Sequence, residues 1–164
     1  MFGQVSYDVE VDVPAGDAWE LYSTLQLAKV VQEGLSPMLE KVELVEGDGG
    51  VGTVVELTLA PPPGAQGPMI YKEKFTKIDN EKRIKETEVV EGGFLDLGFT
   101  LYRVCIEIVE KDKDSCVIKL KIEYDVKEEA ASNASMVTTK PLEGIASVTT
   151  TYLLKMKNAN ANAN

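Results

Sequence analysis

The 164-residue chain contains no histidine. Ser-His-Asp and Cys-His catalysis, imidazole metal ligands and an imidazole base working near neutral pH are therefore excluded. Acid–base work falls to Asp, Glu, Lys, Tyr or Cys. The two cysteines, Cys105 and Cys116, are too few for a disulfide framework or a four-ligand zinc site, so no metal is expected. Reactive residue types fall together between Met69 and Glu91. Tyr71, Glu73 and Phe75 alternate there with Lys72 and Lys74, and Lys85, Thr87 and Val89 alternate with Glu86 and Glu88.

These two runs read as the strands of a hairpin. Opposite charges facing each other across an antiparallel pair stabilise it by ~0.2–1 kcal/mol each. Pairing Lys74 with Glu86 also pairs Lys72 with Glu88 and leaves the turn Asp79-Asn80-Glu81, whose residue types suit it. On the other face Tyr71 then lies opposite Val89, Glu73 opposite Thr87 and Phe75 opposite Lys85. Glu73 and Lys85 become diagonal neighbours, roughly 7–8 Å apart at the backbone. If the charge-paired face is the wet one, Tyr71, Glu73 and Lys85 share the inner face. A carboxylate and an amine in an apolar cavity have shifted pKa values, which suits acid–base work. The alternative is a hairpin wet on both faces, with Glu73–Lys85 an ordinary surface pair worth ~0–1 kcal/mol.

The elements around the hairpin are legible from periodicity. Val5, Tyr7, Val9, Val11 and Val13 alternate with polar residues, a half-buried antiparallel strand. Pro14 opens a helical stretch with Ala18, Tyr22 and Leu25, and a second short helix spans about 27–35 before Ser36-Pro37. Strands are expected over 39–46, 51–60, 69–78, 82–91, 97–109 and 116–126, with a Pro-rich connection at 61–68. Then the period changes: Ala134, Val137, Pro141, Ile145, Val148, Tyr152 and Met156 form one apolar stripe on a long helix, kinked at Pro141. One domain is expected over 1–157, with a frayed low-complexity Asn-Ala tail at 158–164. A curved sheet gripping a helix with small members such as Ala134, Gly144 and Ala146 leaves room for an apolar cavity, a fully packed core being the alternative. Its expected wall includes Phe75, Val89, Tyr102, Val104, Leu120 and Ile145.

Charge and hydropathy narrow the partners. With 17 Lys+Arg against 27 Asp+Glu, the formal charge of −10 argues against binding to nucleic acid. No apolar run approaches the ~20 residues a membrane span needs, and the first residues lack the pattern of a signal peptide, so a cytoplasmic location is expected. The loop Gly47 to Thr53 lacks the Gly-Lys-Ser/Thr ending of a nucleotide loop and reads as a turn between strands.

The segment Glu46-Gly47-Asp48-Gly49-Gly50-Val51-Gly52-Thr53 resembles the glycine-rich loop of the plant pathogenesis-related class-10 family, which includes the major birch pollen allergen. Tyr71-Lys72-Glu73-Lys74-Phe75, Ile78-Asp79-Asn80-Glu81, Val90 to Gly98 and Lys113 to Lys119 more specifically resemble the norcoclaurine synthases of that family. The resemblance covers the chain up to the Asn-Ala tail. It implies an α+β helix-grip fold: a seven-stranded curved antiparallel sheet around a long C-terminal helix, with two short helices after strand 1. It also implies Pictet–Spengler condensation of a dopamine-like arylethylamine with an aldehyde like 4-hydroxyphenylacetaldehyde, with no cofactor. Motif matching gives Lys85 the proton transfers to oxygen, Glu73 the ring proton, and Tyr71 the positioning of phenolic substrate at the mouth. An acidic position of the family falls at Val104. A condensation that stops at the imine, a noncatalytic carrier of hormones, flavonoids or alkaloids, and a hormone receptor are the other classes. The expected partners are a small aromatic amine and aldehyde or another hydrophobic ligand, with no nucleic acid and no membrane, and the protein a monomer or weak dimer.

Overall fold

The computed structural model describes residues 1–61 and 67–163, so part of the Pro-rich connection at 61–68 lies outside the described residues. Period-two alternation yields β1 (Phe2–Val11), β2 (Leu39–Glu46), β3 (Val54–Leu59), β4 (Met69–Asp79), β5 (Ile84–Gly92), β6 (Phe99–Asp112) and β7 (Ser115–Val126). They form one antiparallel seven-stranded sheet in the order β1-β7-β6-β5-β4-β3-β2. Strands β2 to β7 follow as a meander, and β1 closes against β7. Between β1 and β2 run the short helices α1 (Ala15–Tyr22) and α2 (Gln26–Leu35). The long helix α3 (Lys140–Ala163) follows a 3-10 segment at Glu128–Met136.

The inner face of β7 buries Cys116, Ile118, Leu120, Ile122 and Val126, the side that its alternation predicts. Against the sheet and α1 lie Leu142, Ala146, Thr149 and Leu153 of α3. Burying each large aliphatic side chain contributes ~1.5–3 kcal/mol. Two polar links fix α1 in this packing. The Tyr22 hydroxyl meets Thr149 Oγ1 at 2.6 Å in the core, and Trp19 Nε1 donates to Asn80 Oδ1 at 3.0 Å. The end of α1 is thereby held over the β4–β5 hairpin. No helix among the described residues is long and apolar enough to cross a membrane.

Three expectations need correction. The C-terminal stripe is not one kinked helix. Val137 lies before α3 begins, and Pro141 sits in the first turn, where its missing N–H breaks no hydrogen bond. The buried face is Leu142-Ala146-Thr149-Leu153, while Met156 is 44% exposed. Helix α3 also runs on through the Asn-Ala repeat to Ala163 rather than fraying at 158. Alanine at every second position supplies the helix propensity.

The third correction concerns the hairpin register. Lys74 pairs with Glu88, Glu73 with Val89 and Phe75 with Thr87, two residues from the expected alignment through the centre of the strands, and beyond an irregularity Ile78 pairs with Lys85. Irregularities between Lys72 and Glu73 and between Phe75 and Lys77 bend the pair, and the connection spans Asn80 to Arg83, with Arg83 at φ 54°. The reason lies on the next strand. Glu88 accepts from Arg103 of β6 at 2.7 Å, a competing cation outside the hairpin, and Lys72 takes Glu91 at 3.1 Å instead. A slip of two keeps every side chain on its face. Tyr71, Glu73, Phe75, Lys85 and Thr87 therefore still point inward, but Glu73 and Lys85 are no longer diagonal neighbours.

Candidate active site

Lys85 is buried to 2% exposure on the inner face of β5. Its Nζ donates to the Tyr22 carbonyl at 3.0 Å. Tyr22 ends α1, where the last carbonyls lack helical partners and the helix dipole favours a cation. The same Nζ stands 4.1 Å from the centroid of the Phe75 ring, a cation–π contact. Burial lowers the Lys85 pKa from its usual 10.5 to about 8, against the opposing pull of Glu73. The amine is thus anchored and is a far better proton donor than a surface lysine.

Glu73 projects from the inner face of β4. Burial raises its pKa from 4.5 to about 7, while the Lys85 charge and a side-chain hydrogen bond with Thr87 hold it down. The surface that Glu73 retains lies on a cavity wall, so desolvation dominates even though the side chain is not closed off from every neighbouring space. No ion pair within 4.0 Å joins it to Lys85. Burial pushes the Tyr71 phenol well above its ordinary value, with Glu73 and then Tyr102 adding to the effect. A carboxylate and an ammonium that change charge near neutrality thus face one space without neutralising each other.

That space is a cavity of about 140 Å³ between the sheet, α2 and α3. Tyr71, Glu73 and Lys85 line it, and so do Phe75, Val104, Leu120 and Ile145. Val89 and Tyr102, also expected on the wall, are not part of it. Both face inward, but the 3-10 segment Gly93–Leu97 fills that end of the sheet, where Phe94 stacks on Tyr102 at 4.3 Å. Tyr102 still feels Glu73, whose charge adds to the burial that raises the phenol pKa.

Sequence reasoning missed Thr87, which the shifted register sets opposite Phe75 and, across β5–β6, opposite Val104. It also missed Leu27 and Val31 of α2 and Val55 and Leu57 of β3. The four-residue step from Leu27 to Val31 was the available signal for α2. The Tyr22 carbonyl carried no signal, because a main-chain acceptor has no sequence signature.

On the opposite face of the sheet Cys105 contacts Glu123 and Glu86. Burial, then its hydrogen bond to Glu123, pushes this thiol up to about 12, so it is no nucleophile at neutral pH.

Comparison with known proteins agrees with this architecture. Norbelladine synthase of Narcissus pseudonarcissus is 48% identical, the alignment covering 96% of this chain and 95% of that protein. S-norcoclaurine synthase 2 of Papaver somniferum is 44% identical over 94% of this chain and 66% of its own length, so this chain spans about two thirds of the poppy enzyme. The X-ray structure of norcoclaurine synthase from Thalictrum flavum in complex with dopamine and hydroxybenzaldehyde superposes with a TM-score of 0.82 at 40% identity, covering 94% of this chain and 88% of that one. Residues 2–156 match the model of the pathogenesis-related protein Bet v 1 family. The chain belongs to the Bet v 1 family and is norcoclaurine-synthase-like within it.

Proposed function

We propose that this protein condenses an arylethylamine such as dopamine with an aromatic aldehyde such as 4-hydroxyphenylacetaldehyde, by Pictet–Spengler chemistry in the apolar cavity. The observation that carries the reading is the convergence of Glu73, near 7, and Lys85, near 8, on one desolvated wall. The amine nitrogen attacks the aldehyde carbon and forms the C–N bond. Lys85 gives a proton to the carbinolamine hydroxyl, the C–O bond breaks, and water leaves an iminium ion. A ring carbon then attacks the iminium carbon, and the C=N π electrons return to nitrogen. Glu73 takes the proton released as the ring regains aromaticity. Its return to Lys85 resets the site, so the net products are the cyclised amine and water, with no cofactor consumed. Positioned proton transfers of this kind contribute 10²–10⁴-fold each. Tyr71 orients the phenolic substrate at the wall, and two unpaired thiols suit a reducing compartment such as the cytoplasm.

A second reading is favoured by Val104, which leaves β6 without a titratable group on the cavity wall. Condensation would then stop at the imine, a product that needs Lys85 and no ring deprotonation. One assay separates the two. Dopamine and 4-hydroxyphenylacetaldehyde are incubated with the wild type, Lys85→Met and no protein, in a buffer other than phosphate, and half of each sample is quenched with borohydride. A single cyclised enantiomer that disappears with Lys85→Met supports cyclisation. A reduced secondary amine, formed at a Lys85-dependent rate, supports the imine. Racemic product at the rate of the blank rejects catalysis on this pair and leaves the carrier of hydrophobic ligands.

A further inference from the structure

Thr87 is a polar group on the cavity wall to which the chemistry above gives no task. It is 7% exposed. Phe75 faces it from β4 and Val104 from β6, and Lys85 and Val89 flank it on its own strand face. A hydroxyl buried among such neighbours without a partner is destabilising, and valine has nearly the same shape without it. The polar side chain beside Thr87 on the same wall is Glu73. Because Glu73 stands opposite Val89, Thr87 is its diagonal neighbour and lies between it and Lys85 along β5. Among the described residues Glu73 has no ion pair within 4.0 Å, and Thr87 is the neighbour on the same wall whose hydroxyl helps hold its pKa down.

We propose that Thr87 is the positioning residue for Glu73, its hydroxyl holding the carboxylate in one orientation toward the reacting ring. This rests on the reading of Glu73 as the base that takes the ring proton. The titratable groups facing Glu73 are Lys85 from β5, Tyr71 from its own strand and Tyr102 from β6. β3, α2 and α3 turn only apolar side chains to this wall. Removing the Thr87 hydroxyl therefore leaves Lys85 alone to favour the ionised carboxylate, and a freely rotating Glu73 loses its aim.

Thr87→Val removes the hydroxyl at constant shape, and Thr87→Ser keeps it while removing a methyl group. Two readouts are taken on each variant and the wild type. The first is a ¹³C NMR titration of the glutamate side-chain carboxyl carbons, with Glu73→Gln identifying the resonance. The second is kcat/KM against pH on the pair that the product assay turns over. Thr87→Val is expected to move the Glu73 titration up by about one pH unit, which lowers kcat/KM at pH 6 about tenfold and less at pH 8. KM changes less than kcat, and Thr87→Ser stays within about twofold of the wild type. An unmoved Glu73 titration in Thr87→Val overturns the proposal, as does a Thr87→Ser variant that behaves like Thr87→Val. The NMR readout needs no turnover, so an inactive wild type would sink the condensation reading while the Thr87–Glu73 link is still decided.

Discussion

At the scale of single residues, the proposed site keeps two buried titratable groups apart across an apolar cavity. A surface glutamate near 4.5 is too weak a base, and a surface lysine near 10.5 too weak an acid, for fast proton exchange at neutral pH. Burial moves them toward each other, to about 7 and about 8. Glu73 must be ionised to accept the ring proton, so the rate rises as pH passes about 7. Lys85 must be protonated to donate, so the rate falls as pH passes about 8. A narrow bell in kcat/KM is expected, with its top between those values. Glu73→Gln should remove the lower limb and cost 10²–10⁴-fold. A profile that is flat from pH 6 to 9 would refute these assignments. The face on which Tyr71, Glu73 and Lys85 meet was legible from alternation alone, because a register slip of two preserves faces. Their spacing was not. It depends on Arg103, a cation on a strand that a two-strand argument never consults.

At the scale of elements, α1 matters more than its length suggests. Its C-terminal carbonyl at Tyr22 anchors Lys85, and the Tyr22 side chain locks α1 to α3 through Thr149. Thr149 spends its own proton on the Ile145 carbonyl at 2.8 Å, so the Tyr22 hydroxyl is the donor in the 2.6 Å contact. Tyr22→Phe strands a buried acceptor and should cost about 1–2 kcal/mol, a fall in Tm of roughly 2–8 °C for a chain of this size. It should also loosen the amine, lowering kcat more than it raises KM. Circular dichroism melts and steady-state kinetics on the variant check both. The glycine pair at the end of β5 is a second element-scale device. Gly92 has φ +73° and Gly93 φ +55°, and a Cβ on Gly92 would run into the Ile70 carbonyl. A Cβ on Gly93 would come within 2.9 Å of the Tyr71 Cβ. Gly92→Ala should therefore displace the Tyr71 wall and cost more than about 1 kcal/mol, through both backbone strain and backbone collision. Here the sequence told only that the chain breaks at two glycines. That the break shapes the wall beside Tyr71 needs the neighbouring strand. The C-terminal stripe was misread for a related reason: periodicity does not report where a helix begins, and Pro141 marks a start as readily as a kink.

At the scale of the whole molecule, the cavity sets function against stability. Glu73 binds a proton more tightly in the folded chain, so between about 4.5 and 7 the native state carries the extra proton and folding stability falls as pH rises. Lys85 binds its proton less tightly in the folded chain, so between about 8 and 10.5 the unfolded state carries the extra proton and stability rises with pH. The site's contribution is therefore at its minimum between 7 and 8, the window in which both groups are charged and catalysis is expected to peak. Such opposition is general for sites that hold charges away from water. Glu73→Gln cancels the first slope. Taken from pH 5.2, above the isoelectric point near 4.6, to pH 7.5, the stability of Glu73→Gln relative to the wild type should grow by about 1–2 kcal/mol. Lys85 loses its countercharge in the same variant, which lowers its pKa further in the folded chain and so adds to this gain. Urea unfolding of the two proteins at each pH measures the difference. A difference that stays constant across the window would mean that Glu73 titrates as a surface carboxylate, that water fills the cavity in solution, and that the proton transfers assigned to this wall have no desolvated site in which to occur.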